Sequence, residues 1–393
     1  MSAMELPRAV RPEDVGISSA RLATLSAAIT ARTESGHIPG AVALIVRNGQ
    51  VAYYETFGRR DPLADDPMKK DDIFRIYSMT KAIVSVATMM LWEEGRLFLH
   101  DPVAKFLPEF AAQQVLLEDG SKVAPASPMT VQDLLRHTSG LTYEFRGTRA
   151  IHAAYAEAKV FRRNQTNADQ CAALAALPLD FHPGTRWEYS RATDVLGRLV
   201  EVISGQTLGA FLRARILGPL GMVDSGFHVP EGALGRLAGG HAKDPDTGNP
   251  VMLLDVTRPA VFESGGGGMV STTMDYARFL QMLANNGHLD GTRLLGRKTI
   301  ELMTADHLGD MPRAEEMIGP GFGFGLGFAV RTHAGMGTMP GSVGQYYWGG
   351  AAGTTFWVDP AERLYAVLMV QAPIQREFYR LLFRDMVYAA VAD

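Results

Sequence analysis

Strand-forming segments lie near both ends of this chain, and helix-forming segments fill its middle. Near the start, Ala41–Arg47 and Val51–Phe57 are β-rich apolar runs separated by Asn48-Gly49. Asn-Gly favours a type I′ hairpin turn, because both central residues of that turn need a positive φ. Near the end, Thr355–Val358 and Leu364–Val370 form a second pair of strand candidates around a short turn. The pattern predicts one antiparallel sheet built from both ends of the chain.

The middle of the chain predicts helices inserted between these strands. Residues 101–221 are rich in Ala, Leu and Arg, with helical periodicity and few β-branched runs. We therefore expect an α+β fold, with a sheet domain formed by residues 1–100 and 240–393 and a mainly helical subdomain formed by residues 101–239. Further elements predicted near the two ends are helices over residues 21–34 and 376–391 and one strand over Gly321–Val330.

The composition is typical of a globular protein that acts on a small molecule. Of the 393 residues, 47% are hydrophobic and 20% charged, and the formal net charge is −4 without any long basic run. This excludes the electrostatic pattern of a nucleic-acid binder. Cys171 is the only cysteine, and the ten histidines include no His-Glu-x-x-His motif. We therefore expect no disulfide, no metal site and no cofactor.

The sequence shows neither a secretory signal nor a membrane span. The N-terminus lacks a charged start followed by an apolar run, and no stretch reaches 18 uninterrupted apolar residues. Such features are needed for export or for crossing a bilayer. We expect a cytoplasmic protein without a membrane partner, and the sequence does not indicate its oligomeric state.

Ser78 and Lys81 form the only Ser-x-x-Lys pattern in the chain. Ile73–Tyr77 predicts a strand and Met79–Glu94 a helix, so Ser78 lies near free backbone N–H groups at a helix start. Lys81 is one turn away on the same face, where it can activate the hydroxyl for attack. An isolated match more often means a capping serine and a solvated lysine. The apolar helix around Lys81 favours a buried, functional lysine instead.

Tyr189 is the candidate for a second base. It ends the loop Pro183–Tyr189, shortly before a helix predicted over Asp194–Ile203. A tyrosine can act as a general base where a cation lowers its pKa, and Lys81 would be that cation. In isolation, such a tyrosine is more often a packing aromatic with a hydrogen-bonded hydroxyl.

Three motifs together resemble a known family of enzymes. They are Ser78-x-x-Lys81, Tyr189-Ser190 and Trp348-Gly349-Gly350. In this order they resemble the β-lactamase-like carboxylesterases called family VIII, which share their fold with class C β-lactamases and penicillin-binding proteins. The supporting segments are Leu134–Leu141, Gly197–Glu201, Pro219–Met222 and Ser264–Gly268.

The resemblance implies a role for each motif. Ser78 would attack the substrate, Lys81 would take or relay its proton, and Tyr189 would serve first as base and then as acid. The backbone N–H groups of Ser78 and Ala351 would form the oxyanion hole. The Trp348-Gly349-Gly350 segment would contact the substrate.

Two departures from the β-lactamase pattern bear on the substrate. Trp348-Gly349-Gly350 stands where β-lactamases carry Lys-Thr-Gly, so an indole replaces the cation that binds the β-lactam carboxylate. Ser190-Arg191 follows the tyrosine where class C enzymes have Ala-Asn, and Arg191 could itself supply a positive charge. Both changes favour uncharged esters over β-lactams.

We therefore expect a serine carboxylesterase that hydrolyses small, short-chain acyl esters through a Ser78 acyl-enzyme. One alternative is an acyltransferase that passes the same acyl group to an alcohol. Others are a β-lactamase or D-amino-acid peptidase, and a non-catalytic binding protein. The intact set of Ser78, Lys81 and Tyr189 argues against the last.

Overall fold

An antiparallel sheet with helices on both faces dominates the computed structural model, which describes residues 4–313 and 315–393. The described strands are β1 (Gly40–Arg47), β2 (Gln50–Asp61), β3 (Asp66–Pro67), β4 (Ile73–Arg75), β5 (Val115–Leu116), β6 (Lys122–Val123), β7 (Val270–Thr272), β8 (His288–Leu289), β9 (Thr292–Arg293), β10 (Phe322–Phe324), β11 (Ala329–Arg331), β12 (Tyr346–Gly349), β13 (Thr355–Asp359) and β14 (Leu364–Val370). The α-helices are α1 (Ser19–Glu34), α2 (Thr80–Glu93), α3 (Val131–Leu135), α4 (Ala150–Ala158), α5 (Asn167–Ala175), α6 (Ala192–Ser204), α7 (Leu208–Leu212), α8 (Thr273–Ala284), α9 (Arg297–Met303), α10 (Glu315–Ile318) and α11 (Arg376–Ala389).

The main sheet joins the two ends of the chain. Its strand order is β10-β11-β12-β13-β14-β1-β2-β3, and β1 pairs antiparallel with β14, with Ala41 opposite Val370. The predicted hairpin turn between β1 and β2 is confirmed, since Asn48 has φ 54° and Gly49 has φ 75°. The α+β architecture predicted from the sequence is therefore confirmed.

Alternation along β1 explains why helices cover both faces. Ala41, Ala43 and Ile45 pack in one apolar cluster with α1 and α11. Val42 and Leu44 point the other way, into the larger cluster that contains α2 and α8. Successive side chains of a strand face opposite sides, so a strand buried throughout needs cover on both. The larger cluster is the one that holds the site described below.

Two predicted strands differ from the structure. The strand predicted over Ile73–Tyr77 ends at Arg75, and a 3₁₀ turn over Tyr77–Met79 leads into α2. The single strand predicted over Gly321–Val330 is wrong, because β10 and β11 form a hairpin there. Gly327 has φ 104°, which permits the reversal, and Gly325 donates its N–H to the carbonyl of Phe328 at 2.8 Å.

The central part of the chain carries the helices α3 to α7 and the short β5–β6 hairpin. Its separation from the sheet as a subdomain over residues 101–239 stays a prediction. Within the described residues, no single helix is long and apolar enough to cross a membrane. Only α6 and Leu208–Leu217 taken together meet that test, across a 77° bend.

Candidate active site

Ser78 lies at a strained junction between β4 and α2. Tyr77, directly before it, has φ 43°, a left-handed conformation that a bulky residue rarely adopts. The Tyr77 hydroxyl accepts the N–H of Leu254 at 2.8 Å, and the N–H of Ile76 donates to the carbonyl of Met269 at 3.1 Å. These contacts from both sides fix the turn. They leave the Ser78 side chain half-buried at the edge of a cavity.

Lys81 is 2% exposed and its Nζ donates to three oxygens. They are Ser78 Oγ at 3.4 Å, Tyr143 Oη at 3.0 Å and the carbonyl of Gly266 at 2.6 Å. Three acceptors match the three donors of an ammonium. Burial lowers the pKa of Lys81, but the Tyr143 and Tyr189 phenol oxygens outweigh it and raise that pKa above its usual 10.5. Lys81 is therefore a held cation at neutral pH.

Tyr189 faces Ser78 from the helical side of the site. Its Oη donates to Ser78 Oγ at 2.7 Å, a separation across which a proton can pass. The Lys81 Nζ lies 4.6 Å from the centre of the Tyr189 ring, and Trp348 Nε1 donates to Tyr189 Oη at 3.4 Å. The structure thus brings Ser78, Lys81 and Tyr189 together.

Tyr143 and Gly266 belong to this cluster, and the sequence analysis assigned no role to either. Tyr143 is 5% exposed, and burial raises the pKa of its hydroxyl above the usual 10.0. It therefore stays a neutral phenol and an acceptor for Lys81. The N–H of Gly266 donates to Asp194 Oδ1 at 2.8 Å and anchors the loop whose Gly266 carbonyl accepts from Lys81. The only sequence signal was proximity, since Tyr143 follows the quoted segment Leu134–Leu141 and Gly266 lies inside Ser264–Gly268.

The Trp348-Gly349-Gly350 segment forms the opposite wall, at the end of β12. A side chain at Gly350 would collide with the carbonyl of Ile76, so glycine lets this strand approach the turn that carries Ser78. Arg380 of α11 donates to the carbonyl oxygen of Gly350. In a trans peptide the C=O and N–H point in opposite directions, so this bond turns the N–H of Ala351 away from Arg380. Ser78 and Ala351 border the same cavity.

That cavity has a volume of about 700 Å³. Aromatic and aliphatic side chains supply much of its lining, among them Phe145, Ile318 and Met339. Charged side chains also reach it, including Arg146 and three arginines of α11. A cavity of this size accepts a substrate of drug-like dimensions. An indole thus stands at Trp348, while cations line other parts of the cavity.

Arg191 does not supply one of these cations. Its guanidinium binds both carboxylate oxygens of Glu144, at 2.7 and 3.0 Å, and lies 3.6 Å from Asp194. It also stacks over the Tyr143 and Phe161 rings. Arg191 is 5% exposed; its two Nη atoms are paired with these carboxylates, and its Nε has no described partner. A substrate carboxylate near Ser78 would find no free charge here.

Among the described residues, no group of three or more His, Cys, Asp or Glu side chains has the arrangement of a metal site. Cys171 is buried and free, and burial raises the pKa of its thiol well above the usual value.

Comparison with known proteins assigns the chain to a family. Residues 25–387 match the Beta-lactamase family, and the chain belongs to it. Esterase EstB of Burkholderia gladioli is 32% identical over 96% of this chain and 98% of its own. The resemblance drawn from the motifs is thereby confirmed.

Two solved structures share the fold over nearly the whole chain. EstCE1, described as a hydrolase with promiscuous acyltransferase activity, superposes with a TM-score of 0.81 at 28% identity, over 94% of this chain and 99% of its own. Unliganded simvastatin synthase from Aspergillus terreus superposes with a TM-score of 0.78 at 25% identity, over 95% and 99% of the two chains.

Proposed function

We propose that this protein is a serine carboxylesterase that works through an acyl-enzyme on Ser78. The observation that carries the proposal is the pair of contacts at Ser78 Oγ, from Tyr189 Oη at 2.7 Å and Lys81 Nζ at 3.4 Å. A serine becomes a nucleophile when an adjacent group can take its proton. Esterase EstB, an enzyme of the same family, supports hydrolase chemistry.

The proposed reaction has two halves, acylation of Ser78 and deacylation by water, and the same residues act in both. Ser78 Oγ gives its proton to the phenolate of Tyr189, which the Lys81 ammonium stabilises, and attacks the ester carbonyl. The oxyanion that forms accepts the N–H groups of Ser78 and Ala351. Tyr189 then returns the proton to the leaving alcohol, and the acyl-serine remains. Water then attacks the acyl-serine and gives a proton to Tyr189, which passes it to Ser78 Oγ as the carboxylic acid is released.

The test of the nucleophile is Ser78→Ala. We expect the variant to lose both hydrolysis of p-nitrophenyl butyrate and covalent labelling by a phosphonate, which mass spectrometry detects. Its melting temperature should equal that of the wild type. Ser121→Ala is the matched control, because Ser121 is exposed and bonds only Asp119; it should keep wild-type turnover and label. Undiminished turnover in Ser78→Ala, or a label on another serine, would contradict the proposal.

Acyl transfer is the second candidate function. EstCE1, which is structurally similar to this chain, is described as having promiscuous acyltransferase activity. The two functions share the acyl-serine and differ only in whether water or an alcohol removes the acyl group. Product analysis of p-nitrophenyl butyrate turnover with added alcohol separates them. Ester product at low alcohol concentration would favour transfer, and acid alone would favour hydrolysis.

A further inference from the structure

Helix α11 presents a row of arginines to the cavity. Arg376, Arg380 and Arg384 are four residues apart, which places them on one helix face, and all three line the cavity. Two of them share the carboxylate of Glu377. Arg376 donates to Glu377 and to the carbonyl of Pro373, and Arg380 to Glu377 and to the carbonyl of Gly350. Only the third lacks such partners.

Arg384 is 3% exposed, and no described carboxylate lies within 4.0 Å of its guanidinium. Its one described hydrogen bond runs from Nη1 to the Met339 sulfur at 3.4 Å. The guanidinium carbon lies 4.6 Å from the centre of the Tyr347 ring and 5.0 Å from that of Trp357. Burial lowers the pKa of Arg384, and Tyr347, Tyr388 and Asp385 offset this only in part. Arg331, also buried, adds positive charge nearby.

Stacking satisfies only part of this group. Two aromatic rings stabilise the faces of a guanidinium through cation–π contacts. The N–H donors lie around its edge, and thioether sulfur is a weak acceptor for them. A buried charge without a counter-ion is expensive, and a carboxylate matches the guanidinium fork with two parallel hydrogen bonds. The cavity is where such an anion can enter.

We propose that Arg384 forms a carboxylate-binding subsite of this cavity, which selects substrates that carry a carboxylate remote from the reacting ester. The inference rests on the proposed esterase function. Remoteness follows from the two aromatic rings that stand between Arg384 and Ser78 in the cavity lining, Tyr347 and Trp348, whose centroids are 6.4 Å apart. Arg384 stacks on Tyr347, whereas Trp348 contacts Tyr189 next to Ser78. The carboxylate could be carried by the acyl group or by the alcohol.

The experiment compares anionic and neutral esters of equal length. The acyl arm uses p-nitrophenyl monoesters of dicarboxylic acids from glutarate to suberate, each beside its methyl-capped form. The alcohol arm uses 4-acetoxybenzoate beside its methyl ester. We expect one arm to show a kcat/KM ratio of anionic to neutral ester of at least about 10, the lower limit for a charged hydrogen bond. A ratio near one throughout both arms would overturn the proposal.

Variants at the subsite test whether Arg384 causes the preference for anionic over neutral esters, measured as the ratio of their kcat/KM values. Arg384→Met should lower it about tenfold or more, whereas Arg376→Met, the same charge change on the same helix, should change it less than about threefold. Met339→Glu places an anion beside Arg384 and should abolish the preference, with Met339→Gln as its neutral control. Equal effects of Arg384→Met and Arg376→Met on this ratio would overturn the subsite.

If Arg384→Met fails to fold, the comparison of Met339→Glu with Met339→Gln tests the subsite instead. A preference for the anionic ester that is retained in Met339→Glu would also overturn the proposal.

A binding measurement separates this inference from the esterase function. Calorimetry of adipate and of the 4-acetoxybenzoate anion with Ser78→Ala needs no turnover. We expect binding that weakens about tenfold or more in Ser78→Ala/Arg384→Met and is retained in Ser78→Ala/Arg376→Met. Binding with this pattern and no ester turnover would contradict the proposed function alone. Identical binding in both double variants, or none in Ser78→Ala, would contradict the subsite alone.

Discussion

Arg380 acts on the site through the peptide that joins Gly350 and Ala351. Its bond to the Gly350 carbonyl orients the N–H that the proposed mechanism uses for the oxyanion. Loss of one oxyanion donor lowers kcat by about 10²–10³-fold. A donor that is only misoriented should lower kcat by less. We predict that Arg380→Met lowers kcat for p-nitrophenyl acetate about 10–100-fold with KM changed less than threefold.

The conservative variant tests whether Arg380 positions the peptide. Arg380→Lys keeps a donor within reach of the carbonyl and should recover part of the lost kcat, while melting temperatures report on folding. A rise in KM at constant kcat would mean that Arg380 binds substrate and does not position the oxyanion hole.

Among the individual residues of the site, only some could be predicted from the sequence. Ser78 and Lys81 are three residues apart on one helix, so local geometry predicts their contact. Tyr189 needed the family resemblance, because no local rule brings it to Ser78. Tyr143 and Gly266 reach Lys81 through contacts between distant segments, and no periodicity encodes those. The catalytic roles themselves stay predictions.

Among the elements, α8 carries a buried carboxyl near its start. Asp275 is fully buried; its Oδ2 accepts the N–H of Asp224 at 2.8 Å and the Ser225 hydroxyl at 2.9 Å, whereas Oδ1 has no described partner. Burial raises the pKa of Asp275 from 3.8 to about 6. Because the folded-state pKa is the higher one, its contribution to stability is complete below pH 3.8 and is lost as pH rises through 6.

Asp275→Asn, which does not titrate, should reveal this effect. We predict that the free energy of unfolding of the variant relative to wild type increases by about 1–1.5 kcal/mol from pH 5 to pH 7.5. Urea denaturation at the two pH values measures it. A difference that does not depend on pH would show that the Asp275 carboxyl has an ordinary pKa in the folded protein.

The elements also show where pattern reading succeeds and where it fails. The β1–β2 hairpin was predictable because Asn48-Gly49 specifies its turn chemically. The hairpin between β10 and β11 was missed because glycines alternating with apolar residues also fit one continuous strand. The unusual φ of Tyr77 had no signal in the sequence, since tertiary contacts from Leu254 and Met269 hold that turn.

At the scale of the whole molecule, the cavity decides the substrate class. A β-lactam carries its carboxylate close to the scissile bond, where this protein has Trp348 and where Arg191 is bound to Glu144. An unpaired carboxylate there would lose solvation without gaining an ion pair. We predict that kcat/KM for short p-nitrophenyl esters exceeds that for nitrocefin or benzylpenicillin by at least about 10²-fold, or roughly 2.7 kcal/mol. Steady-state kinetics on both classes measure the ratio, and faster β-lactam turnover would reverse the assignment.

The pairing of β1 with β14 has a consequence for how the protein reaches its native state. These two neighbouring inner strands of the sheet come from opposite ends of the chain, so their hydrogen bonds close a loop that contains almost every other element. Loop-closure entropy must be overcome before such contacts stabilise anything, and chains of high contact order fold slowly. During synthesis β1 leaves the ribosome long before β14 has been made. The edge of β1 that pairs with β14 therefore has no hydrogen-bond partner while the helices form. The protein therefore depends on late strand insertion, and chaperones that shield an open edge would raise its folding yield.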